Sequence, residues 1–401
     1  MDLRSGHPFW LLKNGILAAF PALAADLTCD VAVIGAGITG ALITHALQRE
    51  GLQIVVLDKR DVAWGSTSAS TALLQYEIDT ELRDLKQIVG PNHAHRAYAL
   101  GVDAIAAIGA IAASLGAETG FCPTPSVYVT RRKEDVEGLQ EEYAARHAMG
   151  LDVAFVTAET LRRDYALQAE AAIVSQVGAR LDPYRFTYAL FTQAQAQGVR
   201  IYDRTEVTGF EQITGGVRLT TGSGHRVTAA KIVFATGYES GAYLRHKVAD
   251  LHSTYALVSE PVDPGIIERL SYLLWETARP YFYLRTTLDN RIIAGGADEP
   301  FRNPTARDRL IGRKTKQLLK QFTAFYPSLP PLDVAYAWAG TFGATQDGLA
   351  YIGETGDFPN AYFALGYGGN GVTYSLIAAR LIADAIMGRP NPDAAIFRFS
   401  R

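Results

Sequence analysis

The chain has 401 residues, a formal net charge of −3, and 48% hydrophobic and 20% charged residues. This length exceeds one typical core, so we expect two domains. The composition excludes a mainly disordered chain, and the small net charge gives no electrostatic reason to expect binding to nucleic acid. Cys29 and Cys122 form neither a metal-ligand cluster nor a disulfide framework, so we predict no metal site.

The first residues carry a short apolar stretch, 16–24, that ends in Ala22-Leu23-Ala24 and is similar to the end of a signal peptide. Its positive flank is sparse and Pro21 interrupts it. We therefore predict that residues 1–27 form an arm packed on the body through Phe9, Trp10 and Leu11. No apolar run approaches the roughly 20 residues of a membrane span, so we predict no span and a cytoplasmic location.

A glycine-rich turn follows the first predicted strand. Residues 31–34 are apolar, and Gly35, Gly37 and Gly40 then have the spacing G-x-G-x-x-G before a predicted helix over 41–50. In this motif the first glycine permits a sharp turn and the second lets the backbone approach a pyrophosphate. The third lets the helix pack closely on the strand. The pattern indicates a dinucleotide site.

A second apolar segment, 53–57, ends at Asp58. An acidic residue about twenty positions past the glycines is placed to bind the adenosine ribose. The glycine motif therefore has every element expected of a dinucleotide site, namely a strand, a turn, a helix, a second strand and an acidic residue.

Three later stretches complete a pattern with this turn. Residues 64–71 are small and hydroxyl-rich, residues 233–237 read Val-Phe-Ala-Thr-Gly, and a segment from Asp347 to Gly353 precedes a glycine run over 366–371. Together they resemble the flavoprotein family that includes D-amino-acid oxidase, glycine oxidase, sarcosine oxidase and γ-glutamylputrescine oxidase. The resemblance covers residues 30–387. An NAD dehydrogenase, the main alternative, would not need the distant C-terminal glycine run.

The resemblance implies FAD as the cofactor. It also implies that the glycine run and the helix start at Val372 approach the flavin's pyrimidine edge, where backbone N–H groups and a helix dipole favour negative charge. The implied cofactor-binding residues are Gly35, Gly37, Ile38, Thr39, Gly40, Asp58, Lys59, Ser66, Thr67, Ser68, Ser70, Val207, Ala235, Thr236, Gly237, Gly366, Gly368, Gly369, Asn370, Gly371 and Val372.

The implied fold is α/β, with a Rossmann-like FAD-binding domain interleaved with a substrate domain built on an antiparallel sheet. After the arm at 1–27, we assign 28–115, 179–250 and 333–401 to the FAD-binding domain. The substrate domain then comprises 116–178 and 251–332.

The substrate is expected above the flavin, on antiparallel strands within 252–300. The period-two alternation of a strand places Tyr281, Tyr283 and Arg285 on one face. Arginine pairs with carboxylates through two hydrogen bonds, so we predict Tyr283 and Arg285, with Tyr255, as substrate-binding or catalytic residues. Packing of the tyrosines within the sheet, with Arg285 at the surface or paired to a glutamate, is the alternative.

The chain departs from the family in ways that bear on the cofactor. Some members attach flavin through a cysteine, which residues 337–346 lack, and others through a histidine, which residues 64–71 lack. We therefore predict non-covalent FAD. Some oxidases also carry a lysine on the strand that corresponds to 291–295, where Ile292 and Ile293 stand here. Electron transfer to an acceptor other than oxygen thus stays open.

The resemblance implies an enzyme that oxidises the C–N bond of an amino acid or amine by hydride transfer to FAD, giving an imine. Its expected partners are that small substrate and oxygen or another electron acceptor. Two alternatives remain. One is a flavoprotein dehydrogenase of a hydroxy acid or glycerol phosphate, and the other is a flavin-binding subunit of a larger complex.

Overall fold

The structure is a computed structural model that describes residues 2–116 and 118–401, without the side chain of Ala242. Met1 of the predicted arm and Ala117 of the predicted substrate domain lie outside the described residues.

The described chain alternates between strands and helices. The strands are β1 Leu27–Ile34, β2 Ile54–Leu57, β3 Leu73–Leu74, β4 Cys122–Pro123, β5 Ser126–Thr130, β6 Val153–Thr157, β7 Ala171–Ser175, β8 Ala179–Arg180, β9 Arg200–Tyr202, β10 Val207–Ile213, β11 Gly216–Thr221, β12 Arg226–Phe234, β13 Asp250–Ser259, β14 Leu273–Glu276, β15 Phe282–Thr286, β16 Ile292–Pro300, β17 Val334–Ala344, β18 Tyr351–Glu354 and β19 Ala361–Leu365. The α-helices are α1 Phe9–Asn14, α2 Ile38–Gln48, α3 Ser66–Ala69, α4 Leu82–Val89, α5 Pro91–Ser114, α6 Val136–Ala148, α7 Ala158–Asp164, α8 Pro183–Ala196, α9 Pro264–Arg269, α10 Pro304–Arg309, α11 Ile311–Phe325, α12 Gly371–Ile386 and α13 Ala394–Phe397. Two short 3₁₀ segments, Lys133–Asp135 and Gly237–Tyr243, complete the set.

The first large sheet has a parallel centre. β1 pairs in parallel with β2 and β12, β2 with β9, and β12 with β19, while β10, β11 and β18 join as antiparallel strands. All four residues of β2 are buried, as are the last four of β1. Helix α2 packs against α8 and α12 beside this sheet. Burial on both faces explains why these strands are continuous apolar runs and do not alternate.

The second large sheet has the order β17-β13-β16-β15-β14-β5-β7-β6. Its neighbouring strands are antiparallel, except for the parallel pair β14 and β5. Helix α11 packs against β13, β16 and β17. A mainly parallel sheet and a mainly antiparallel one, each built from separated segments of the chain, agree with the predicted fold class.

One predicted domain boundary is wrong. Residues 333–401 were assigned to the FAD-binding domain, but β17 pairs with β13 from Asp250 opposite Ala344 to Ser259 opposite Val334. Strand β17 therefore belongs to the second sheet, and only β18 and β19 return to the first. An apolar strand does not reveal its distant pairing partner, so the pattern alone could not locate this boundary.

The N-terminal arm packs on the body, as expected. Phe9 and Trp10 of α1 are buried, and the Trp10 indole donates a hydrogen bond to the Ser70 carbonyl at 2.7 Å. The residues before α1 make a contact that the sequence did not indicate. Arg4 forms a bridge with Gly340, which adds the arm to the edge of β17.

One described helix, α5, is long and apolar enough to cross a membrane by length and composition alone. This corrects the prediction that no segment reaches that length. Core helices pass the same test, and α5 buries one face, including Tyr98 and Ile108, while it packs against α4 and α12.

Candidate functional site

A large cavity lies where the parallel strands of the first sheet end. Its empty volume is about 1960 Å³, open solvent at the mouth included. It is lined by Gly35 after β1, Asp58 after β2 and Ala235 after β12. Ligands of open α/β sheets bind at the carboxyl ends of the strands.

The glycine turn needs its glycines for close backbone packing. Gly35 has a φ of +112°, and a Cβ there would lie 2.4 Å from the Ala235 carbonyl oxygen. A Cβ at Gly40 would lie 1.9 Å from the Gly35 carbonyl oxygen. Gly37 lines the cavity directly, next to the Thr67 hydroxyl that accepts a hydrogen bond from the Ile38 N–H. The start of α2 is thereby directed at the cavity.

Asp58 anchors the glycine turn as well as lining the cavity. Its carboxylate accepts hydrogen bonds from the Ala36 N–H at 2.7 Å and the Arg60 N–H at 2.8 Å. Burial raises the pKa of Asp58, and these two N–H groups oppose that rise. Beside it, Lys59 pairs with Glu239 at 2.8 Å. Despite burial, hydrogen bonds from Lys59 and Arg60 lower the pKa of Glu239 to about 2.

The C-terminal glycine run forms the opposite wall and leads into α12. Gly368 has a φ of +52°, and the Gly369 N–H donates a hydrogen bond to Asp79 at 3.0 Å. The Asn370 amide donates to the carbonyls of Gln75 and Glu77, which fixes that loop against the run. The N-terminus of α12 therefore directs its positive dipole end into the cavity.

Most of the predicted cofactor residues line this one cavity. They are Gly35, Gly37, Ile38, Thr39, Asp58, Lys59, Ser66, Thr67, Ser70, Val207, Ala235, Thr236, Gly237, Gly368, Gly369, Asn370, Gly371 and Val372. Gly40, Ser68 and Gly366 support it from behind. Ser68 donates to the Gly65 carbonyl at 2.9 Å, and Gly366, with a φ of +76°, turns the chain after β19.

The residues present fit FAD. The cavity runs without interruption from Asp58 and Val207, past the start of α2, to the start of α12. Asp58 suits a ribose. The start of α2 suits a pyrophosphate and the start of α12 suits a flavin, because both helix N-termini favour negative charge. No group of three metal-ligating side chains occurs in the described ranges 2–116 and 118–401.

The second sheet supplies the remaining wall of the cavity. Tyr283 lines it and lies across Gly295 on the neighbouring strand, where a Cβ would come 2.3 Å from the tyrosine oxygen. Tyr281 also lines the cavity, with its ring centroid 5.9 Å from that of Tyr283. Asp79, Thr254, Trp275 and Asp298 are among the lining residues that the sequence did not indicate. Thr254 lies in a predicted strand and Asp298 lies shortly after one, whereas no pattern in the sequence marked Asp79 or Trp275.

Arg285 does not lie in this cavity, which corrects its predicted role. It is 2% exposed and donates hydrogen bonds to the backbone carbonyls of Thr71 and Leu181. It lines a separate, smaller cavity next to Trp10. Burial, reinforced by nearby Arg180, lowers the pKa of Arg285 to about 9. The period-two alternation of β15 correctly placed Arg285 on the same face as Tyr283. Thr71, however, lies between Arg285 and the cavity wall at Tyr283.

Tyr255 also lies outside the cavity, although it was predicted as a site residue. It is 1% exposed, belongs to the core beneath α11, and donates a hydrogen bond to the Arg307 carbonyl at 3.3 Å. It neighbours Thr254, and consecutive strand residues point to opposite faces of the sheet. Thr254 therefore faces the cavity and Tyr255 faces away from it.

Replacing Arg285 with methionine is expected to lower the free energy of unfolding by about 2–4 kcal/mol, because two buried carbonyls lose a charged donor. Denaturant unfolding measures this loss. Substrate preference should not change, since Arg285 lies outside the main cavity. Selective loss of carboxylate-bearing substrates in a stable Arg285→Met protein would contradict this structural role.

Comparison with known proteins agrees with this site. Residues 30–385 match the FAD-dependent oxidoreductase family. The chain belongs to this family. Its relatives include γ-glutamylputrescine oxidoreductase of Escherichia coli, with 26% identity over 92% of this chain and 86% of the relative. Glycine oxidase of Geobacillus kaustophilus is 24% identical over 93% of this chain and 97% of its own.

The fold is shared with solved structures of related flavoproteins. The crystal structure of glycine oxidase from Geobacillus kaustophilus superposes with a TM-score of 0.81 at 21% identity, covering 94% of this chain and 99% of that one. The predicted family, fold class and FAD dependence are thus confirmed, and the protein is an FAD-dependent oxidoreductase. Non-covalent attachment and the individual cofactor contacts stay predictions.

Proposed function

We propose that this protein oxidises the C–N bond of an amine or amino acid to an imine, which water then hydrolyses. One observation carries the proposal. The cavity lined by the predicted cofactor-binding residues continues, without a dividing wall, to Tyr281, Tyr283 and Asp298 at the second sheet. A small substrate there would lie beside the glycine run over 366–371, where the family resemblance implies the flavin. The relatives named γ-glutamylputrescine oxidoreductase and glycine oxidase support this choice of bond.

FAD, when bound, accepts a hydride from the carbon next to the nitrogen. The protein's own residues orient the substrate and exclude water. Burial raises the pKa of Tyr283 to about 12, so its hydroxyl stays protonated even in alkaline solution and can donate a hydrogen bond. Trp275 and Tyr281 add apolar walls on the same side. Oxygen or another acceptor as the final oxidant, and a cytoplasmic location, are parts of the proposal.

Anaerobic mixing of the yellow protein with candidate substrates tests this function. We expect the flavin absorbance to bleach with amines or amino acids, because the substrate supplies both electrons. Fast recovery in air with peroxide release would identify an oxidase, and slow recovery a dehydrogenase with another acceptor. Bleaching only by hydroxy acids or glycerol phosphate would contradict C–N oxidation. No bleaching by any substrate would point to a flavin-binding subunit.

A further inference from the structure

The part of the cavity formed by the second sheet is acidic. Asp298 of β16 and Asp79 of the loop after β3 both line it, and Glu77, which also lines the cavity, is ion-paired with the buried Arg146 at 3.5 Å. Among the described residues that line the cavity, the cationic side chains are Lys59 and Arg60, which lie at the Asp58 end. A substrate on the second sheet therefore meets carboxylates and no lining ammonium or guanidinium group.

One carboxylate oxygen of Asp298 makes no hydrogen bond among the described residues. Its Oδ1 atom is buried and has no hydrogen-bond partner in the described structure. Burial raises the pKa of Asp298 to about 6, and the negative charge of Asp79 adds to the rise, while a hydrogen bond from Thr254 opposes it. A largely buried carboxylate with one unpaired oxygen is incompletely stabilised, so a positively charged ligand that reaches Asp298 gains more than it would at an exposed acid.

Aromatic rings surround this acidic region. Trp275 and Tyr281 meet edge to face with their centroids 6.4 Å apart, and Tyr283 follows Tyr281 along the wall. The Tyr281 hydroxyl donates a hydrogen bond to Asp79 at 3.2 Å. Aromatic faces attract cations and pack against alkyl chains. This wall therefore suits an alkylammonium group better than a carboxylate.

Arg279 and Arg285, from the same part of the second sheet, make hydrogen bonds to backbone carbonyls. Arg279 lies 5.0 Å from the Tyr281 ring centre and donates hydrogen bonds to the carbonyls of Asp79 and Glu276. Arg285 lines the separate cavity beside Trp10. Neither offers the paired hydrogen bonds with which arginine binds a substrate carboxylate.

We propose that Asp298 binds the positively charged nitrogen of an alkyl monoamine or diamine, and that the enzyme discriminates against amines carrying a carboxylate. This substrate class rests on the proposed C–N oxidation. A carboxylate placed in the same region would face Asp298 and Asp79, and like charges brought together in an enclosed site repel strongly. Discrimination would thus come from repulsion as well as from the lack of a matching cation.

The test compares matched substrates by anaerobic flavin bleaching at increasing concentration. 1,4-Diaminobutane and N-methylbutylamine represent carboxylate-free amines, and N-methylglycine and D-alanine represent amino acids. We expect the wild type to bind the first pair more tightly. We expect Asp298→Asn to weaken that binding by about 10–100-fold while FAD content is retained, because a charged hydrogen bond is lost.

Glu299→Gln is the matched control. It removes the same charge from the adjacent residue, which pairs with Lys314 at 2.7 Å and Arg313 at 3.0 Å and does not line the cavity. We expect no change in amine affinity for this variant. Equal losses in the two variants would show a general charge effect and overturn the assignment to Asp298.

The pH dependence of amine affinity gives a second test. The charged groups near Asp298 are Asp79, Lys314 and Arg279. Because protonation removes the charge of Asp298, amine affinity should fall as the pH drops through about 6. The same fall should be missing from Asp298→Asn.

Tight reduction by the amino acids and not by the amines would overturn the substrate class but leave the C–N oxidation intact. Failure of all four compounds would overturn both.

Discussion

Gly40→Ala is expected to yield protein that is depleted of FAD and unfolds at a lower temperature than the wild type. An added Cβ would lie 1.9 Å from the carbonyl oxygen of Gly35, a backbone atom of the turn itself. Alanine would gain about 0.5–1 kcal/mol of helix stability over glycine. Overpacking costs about 1–3 kcal/mol even where neighbours can shift, and this neighbour is backbone, so the clash should dominate. The ratio of flavin to protein absorbance measures the loss.

Gly312→Ala is the matched control for that substitution. Gly312 is also helical, within α11, and a Cβ there meets no atom within 4 Å. The same change should leave FAD content unaltered and the melting temperature equal or slightly higher. If Gly40→Ala behaved like Gly312→Ala, the close contact between α2 and the glycine turn would not be needed for the site.

Gly295→Ala is expected to impair catalysis while leaving FAD bound. The added Cβ would lie 2.3 Å from the Tyr283 hydroxyl oxygen, at the far end of a side chain that can rotate. Tyr283 should therefore swing out of its place in the cavity wall, and the fold should persist. Misplacing a substrate-positioning group by about 1 Å can cost on the order of 100-fold, so we expect kcat/KM to fall by about 10–100-fold. Steady-state kinetics on FAD-replete protein measure the effect.

Two further variants show whether Tyr283 carries that effect. Tyr283→Phe keeps the ring but removes the hydroxyl. If the position of the ring matters most, kcat/KM should fall less in this variant than in Gly295→Ala. Gly209→Ala in β10 is the glycine control, since a Cβ there meets no atom within 4 Å. Full activity in Gly295→Ala would contradict a role for Tyr283 in positioning the substrate.

The cofactor site was largely predictable because its chemistry is local. Gly35, Gly37 and Gly40 are each required by a backbone contact or by an approach to the cavity, and such requirements leave fixed spacings in a sequence. The glycine run before Val372 is also a local signal, as it joins a turn to the start of a helix.

The substrate side was less predictable because it depends on pairing between distant strands. Alternation correctly grouped Tyr281 and Tyr283, but it could not show that Arg285 lies behind Thr71. It also could not show that Thr254 faces the cavity in place of Tyr255. Asp298 was missed as a site residue because an acidic residue near a strand end is usually exposed, and only the folded chain buries its Oδ1 atom.

Removal of hydride from the carbon beside a substrate nitrogen is the step on which the proposed function depends. Anaerobic bleaching of the flavin by 1,4-diaminobutane, compared with the same compound deuterated at the carbons beside nitrogen, tests this most directly. We expect bleaching to occur and to be several times slower with the deuterated compound, since that C–H bond breaks in the step observed. Two results would contradict hydride removal from this carbon. One is an equal rate with both compounds in a step shown not to be limited by binding. The other is the absence of bleaching by either compound and by any other amine.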